Sequence, residues 1–134
     1  MTIANAQTFS SLLFRSIDGG NTFVPTTVVA DNAVVELKFA PSDPTVAYYG
    51  LEGVSGRTVD GGATWQSLPF PADFFNGVHI SPTSPTSIVY ASPTQAYSSN
   101  DGGLTSTALG PAVSPYISSI SPVPNYPGTP TLLA

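Results

Sequence analysis

Apolar and polar residues alternate over short runs of this chain, and proline or paired glycine closes each run. Val34–Ala40 and Gly77–Ile80 alternate as half-buried strands that stop at Pro41 and Pro82, and Ile117–Ile120 does the same before Pro122. A Pro-Ser or Pro-Thr turn carries the first two into β-branched and aromatic runs, Thr45–Leu51 and Ser87–Ala91. Thr131–Ala134 follows the third. Further strands are predicted over Val54–Val59, Ala63–Ser67, Gln95–Ser99 and Leu104–Ala108. Nowhere do apolar residues recur at i, i+3, i+4 and i+7 over the length of a helix. The pattern predicts an all-β protein.

The turns between these strands repeat. Asp18-Gly19-Gly20-Asn21-Thr22, Asp60-Gly61-Gly62-Ala63-Thr64 and Asp101-Gly102-Gly103-Leu104-Thr105 share an Asp-Gly-Gly-x-Thr core, at spacings of 42 and then 41 residues. Pro41, Pro82 and Pro122 keep the same period, at 41 and 40. A period near 40 residues marks a solenoid or propeller built from one repeated unit. Asp-Gly between strand-forming residues is a strong hairpin signal. The carboxylate accepts backbone N–H bonds, the glycines supply positive φ, and the Thr restarts the strand. Phe23 and Trp65 then anchor the returning strand. Identical turns one period apart do not converge on one site, so the aspartates read as structural staples and not as catalytic carboxylates or metal ligands.

These copies, Ser/Thr-x-Asp-Gly-Gly-x-Thr followed in two of them by Phe23 or Trp65, resemble the Asp-box (BNR) repeat. That family includes sialidases, sortilin-type receptors, xyloglucan-cleaving glycoside hydrolases and photosystem-assembly propellers. The resemblance covers nearly the whole chain and implies β-propeller blades of four antiparallel strands, A to D outwards, with the box between C and D. The third copy departs from it, with Ser106 in place of the aromatic residue and Ser98 in place of the arginine. On this frame residues 33–68 and 77–108 form complete blades. Residues 2–30 supply strands B, C and D of a first blade, Thr2-Ile3-Ala4 aligning with Thr45-Val46-Ala47. Residues 116–134 supply A and B of a last. One blade is therefore expected to be split between the two ends of a single 134-residue domain.

Composition narrows the function classes. Only 8% of residues are charged, against about 25% in ordinary domains. Arg15, Lys38 and Arg57 face eight acidic residues, for a formal net charge of −5. So few cations cannot neutralise a phosphate backbone or an anionic lipid surface, and no nucleic-acid partner is expected. No run approaches the roughly 20 apolar residues of a membrane span, so no membrane insertion is expected. The absence of cysteine removes disulfides, thiol nucleophiles and thiolate-bound metals. With His79 as the sole histidine, neither a metal site nor a cofactor is expected. A nearly lysine-free composition suits an extracellular, cell-surface or virion protein, although Met1–Arg15 carries no secretory signal.

In an up-and-down blade the A–B and C–D turns share one side of the disc, and the B–C and D–A connections share the other. Pro25–Ala33, Pro69–Asn76 and Leu109–Tyr116 are expected as the longer loops of the second side, where a ligand would bind. Phe70, Asp73, Phe74, Phe75 and Asn76 are the candidate binding residues. Their rings could stack a sugar or anchor a protein, or could roof the gap between adjacent blades. His79 stands at the strand position of Lys38 and Ser119 with no nucleophile or orienting acid specified beside it, and reads as structural or channel-lining. A glycosidase needs two facing carboxylates, and Glu52, Asp73 and Asp31 are the only acids expected on the loop side. Arg15 and Arg57 both belong to the repeated turns, so no arginine cluster for an acidic sugar can be built. The chain is not expected to be an enzyme.

Three blades in an open arc would leave apolar sheet faces and unpaired edges in water. The expected function is a non-catalytic structural or assembly protein, in which strand exchange completes the split blade with a neighbouring copy. The product is a homo-oligomeric ring or an extracellular filament, since head-to-tail contacts close or run on according to their rotation. The alternatives are a carbohydrate- or protein-binding propeller module acting through Phe70–Asn76, and a fragment of a longer propeller or glycoside hydrolase.

Overall fold

The computed structural model describes residues 11–30, 34–51, 54–70, 77–112, 114, 117, 119–122 and 132–133. Among them there is no helix, and every strand pairing is antiparallel. Strands β1 (Ser11–Arg15) and β2 (Val24–Ala30) form sheet I. Sheet II runs in chain order through β3 (Val34–Ala40), β4 (Asp43–Leu51), β5 (Val54–Thr58) and β6 (Gln66–Ser67). Sheet III repeats that order with β7 (Val78–Ser81), β8 (Ser84–Ala91), β9 (Ala96–Ser99) and β10 (Thr107–Leu109). Sheet IV pairs β11 (Ser121–Pro122) with β12 (Leu132–Leu133).

Local chemistry sets the strand boundaries, and several differ from the sequence expectation. Pro41-Ser42 and Pro82-Thr83 alone make their turns, so Ala40 pairs with Asp43 and Ser81 with Ser84. β4 and β8 therefore begin two or three residues earlier than the β-branched runs suggest. The fourth strands begin later than expected, at Gln66 and Thr107 in place of Ala63 and Leu104. Thr64 and Thr105 are tied to the aspartates of their turns and are not free to join the ladder. Pro25–Ala33 is not a loop through its first six residues: β2 occupies Val24–Ala30 and pairs with β1 as far as Ser11↔Ala30. The third inner strand is β11 at Ser121–Pro122, after the expected Ile117–Ile120. The expected N-terminal strand at Thr2–Ala4, and the acids Asp31, Glu52 and Asp73, lie outside the described residues.

Sheets II and III pack through one apolar layer. Ala40, Val46, Tyr48 and Leu68 from sheet II meet Val78, Ile88 and Tyr90 from sheet III, with Phe70, Ile80 and Tyr97 at the margin. Burying a side chain of this size contributes roughly 1.5–3 kcal/mol, so the layer is the main source of stability between the two sheets. The opposite face of sheet III carries a second layer, in which Val89, Ala91 and Ala96 cover Ile117 and Ile120.

Polar bonds fix the register of sheets II and III at three levels. Near the inner strands the Val78 N–H donates to Glu36 Oε2 at 2.8 Å, and Lys38 Nζ donates to Val78 O at 2.9 Å. Lys38 and Glu36 are themselves ion-paired at 2.6 Å. In the middle Tyr48 Oη donates to Pro85 O at 2.7 Å. At the outer turn Arg57 Nη1 donates to Asp101 O at 2.9 Å and Gly102 O at 3.2 Å.

Candidate functional site

The repeated turns are three copies of one hydrogen-bonded unit. In the second, Thr64 N donates to Asp60 Oδ1 at 2.9 Å and Thr64 Oγ1 donates to Oδ2 at 2.6 Å. Thr58 Oγ1 donates to Asp60 Oδ1 at 2.7 Å and accepts from Gly62 N at 2.9 Å. Asp18 with Ser16 and Thr22, and Asp101 with Ser99 and Thr105, repeat the same bonds. Gly19, Gly20, Gly61, Gly62, Gly102 and Gly103 all have φ between +68° and +89°, which lets the chain reverse around the carboxylate.

This bonding decides what the aspartates can do. Each carboxylate accepts from a backbone N–H and two hydroxyls, all of which favour its charged form. Hydrogen bonds from the Thr22 hydroxyl, the Thr22 N–H and Ser16 hold Asp18 down at about 2. Asp60 and Asp101 are held further below the usual carboxylate range by Thr64 and Thr105 in the same way. An acid so committed is a poor proton acceptor near neutral pH. The turns are rigid corners. The hydroxyl two residues before each aspartate is an equal member of the unit, and its sequence signal was the Ser/Thr at that position in all three copies.

The candidate binding loop is only partly described. Phe70 is half-buried, with its ring centroid 4.0 Å from that of Tyr90 and tilted by 32°, so it closes the gap between sheets II and III. Asp73, Phe74, Phe75 and Asn76 lie outside the described residues. Trp65 packs edge-on against Tyr49 at 5.2 Å. His79 is paired with Val89 in the β7–β8 ladder. Burial and then the Lys38 charge push the His79 imidazole below its ordinary value, against a hydrogen bond with the Ile120 backbone.

Sheets I and IV each contain two strands among the described residues, where sheets II and III contain four. The turn between β1 and β2 matches the turns between the third and fourth strands of sheets II and III, so β1 and β2 correspond to those two strands. β11 ends on Pro122, which keeps the period of Pro41 and Pro82, so β11 and β12 correspond to the strands on either side of that turn. Phe14 and Phe23 hold the places, counted from the aspartate of the turn, of Gly56 and Trp65 in sheet II and of Tyr97 and Ser106 in sheet III. Trp65 and Tyr97 are packed on rings of their own sheets. Phe14 and Phe23 are 52% and 63% exposed. No protein-family model matches this chain, and no curated protein matches its sequence.

Proposed function

We propose that this chain is a non-catalytic assembly protein of the Asp-box propeller type, in which sheet IV of one copy and sheet I of the next join as one four-stranded blade. The observation that carries the reading is that, among the described residues, sheets I and IV hold two strands each. On our reading sheet IV takes the phase of strands A and B and sheet I that of C and D, on either side in sequence of two four-stranded sheets. Joining the two halves within one copy would close a ring of three blades, fewer than the four to eight that propellers use. Joining them between copies has no such obstacle. Two copies then make a six-bladed ring, or the contact propagates as a filament. The ring of Phe23 supports the reading, because it is 63% exposed and lies outside the groove that sheet I forms with sheet II, which leaves an apolar surface for a neighbouring copy.

Light scattering after size exclusion, paired with negative-stain microscopy, tests this directly. The expected species is a compact particle of twice the chain mass or a fibre, persisting on dilution. Phe23→Ser, which leaves the groove between sheets I and II untouched, is expected to reduce it to a folded monomer. A wild-type protein that is monomeric across the concentration range would overturn the proposal.

A further inference from the structure

The gap between sheets II and III is filled by Leu68 and Phe70, which lie so close over Gly103 that a Cβ there would meet both. The gap between sheets I and II is open. Thr26 stands eight residues after the aspartate of its turn, the place Leu68 holds in the next repeat. A cavity of about 460 Å³ lies there, walled by Leu13, Phe14, Ile17, Leu37, Phe39 and Trp65. Leu37 and Phe39 remain 38% and 55% exposed although they sit on the inner strand of a complete sheet.

Two polar groups on this wall are unspent. Arg57 gives its guanidinium to the carbonyls of the next turn, whereas Arg15, the equivalent residue one repeat earlier, reaches Gly61 and forms neither a hydrogen bond nor an ion pair among the described residues. Trp65 Nε1 lies beside Gly62 and the Arg15 side chain, buried and without an acceptor. Buried N–H groups are seldom left so, because each forfeits its hydration. Asp60 makes no ion pair with Arg15 among the described residues; its carboxylate oxygens accept from Thr58 and Thr64. No acidic residue among the described residues lines the cavity.

We propose that this groove binds an apolar monocarboxylate, with the aliphatic or aryl body between Phe14, Leu37 and Phe39 and the carboxylate on Arg15. The volume falls within the range of about 300–1,000 Å³ typical of small-molecule sites, which are mostly apolar with a few placed polar groups. A guanidinium fork matches a carboxylate better than any neutral acceptor. A neutral ligand would leave Arg15 without a counter-charge. A dianion would need a second cation, and Lys38 is already committed to Glu36 and Val78. The site lies within one copy and does not depend on how copies associate.

Trp65 is the sole tryptophan, so its fluorescence reports on the groove wall. Titration with decanoate below its micelle concentration is expected to give a saturable change, with decanol weaker by about tenfold or more. Arg15→Gln is expected to erase the preference for decanoate. Thr26→Leu, which supplies the side chain that Leu68 supplies to the next gap, is expected to weaken both ligands, each variant being checked for unchanged circular dichroism. A flat titration with decanoate, equal binding of decanol, or a preference that survives Arg15→Gln in a folded protein would each overturn the proposal.

Discussion

Arg57→Met asks how much one guanidinium contributes to holding two sheets together. The substitution keeps an apolar stem of similar length, so packing along the stem is retained while the charge is lost. Between the sheets it removes the bonds to Asp101 O at 2.9 Å and Gly102 O at 3.2 Å, both from Nη1, and within sheet II it removes a long, exposed bond from Nε to Gln66 Oε1 at 3.4 Å that adds little. A hydrogen bond from a charged donor contributes about 1.5–3 kcal/mol. The two bonds share one nitrogen and the side chain is half-buried, so their sum stays near the middle of that range, about 2 kcal/mol. Arg15→Met is the internal control. It removes the same charge one repeat earlier from a residue with no bond to lose among the described residues, and belongs with surface changes of within about 0.5 kcal/mol. Urea unfolding followed by Trp65 fluorescence, at one fixed protein concentration so that association contributes equally, measures both. Gly102→Ala probes the same contact from the other side, because a Cβ there would run into Arg57 Nη1 and Tyr48 Oη at a φ of +75°. Its cost is expected to be smaller in the Arg57→Met background than in wild type. Equal losses for Arg57→Met and Arg15→Met, or additive costs for Gly102→Ala and Arg57→Met, would refute the account of Arg57 as the outer fastener.

Two further outcomes are expected. Asp18, Asp60 and Asp101 have folded-state values below the ordinary carboxylate range, so the unfolded chain takes up protons first on acidification. Their contribution to stability is therefore complete above about pH 4 and falls away as pH drops towards and below 2, which carboxyl ¹³C titration with parallel acid unfolding would detect. Gly56→Ala places a Cβ 2.6 Å from Tyr49 Cε1 and 2.7 Å from Gln66 O, and overpacking at such a site costs about 1–3 kcal/mol, read as a lowered urea midpoint.

The strands and their phase were legible because the hairpin turns are local objects. Asp-Gly-Gly-x-Thr and Pro-Ser/Thr announce a reversal without help from the rest of the chain, and the period of about 41 residues made each copy corroborate the others. Boundaries were less legible where side chains compete with the ladder. Thr64 and Thr105 look like strand residues by propensity, yet their N–H groups are bound by aspartate. Val24–Ala30 followed a turn closely enough to be a strand, but Pro25 disguised it as a loop. Contacts between sheets were invisible for a different reason. That Arg57 reaches Asp101, or that Glu36 and Lys38 bracket Val78, depends on how one sheet lies over the next, and spacing along the chain carries no trace of it. Phe70 illustrates the ambiguity of aromatic loops: composition cannot distinguish a ring offered to a ligand from one laid on Tyr90.

The three levels of bonding between sheets II and III have a mechanical consequence. Fastened at the inner strand by Glu36 and Lys38, in the middle by Tyr48 and at the outer turn by Arg57, this pair resists shear along its whole height and moves as one block. Sheet I meets sheet II across the open groove beside Arg15. A force applied to the chain through sheet I would therefore be expressed first as a peeling of the β1–β2 hairpin, with the block behind it undeformed. In a single-molecule extension trace this would appear as a small, low-force event of hairpin length before any larger rupture.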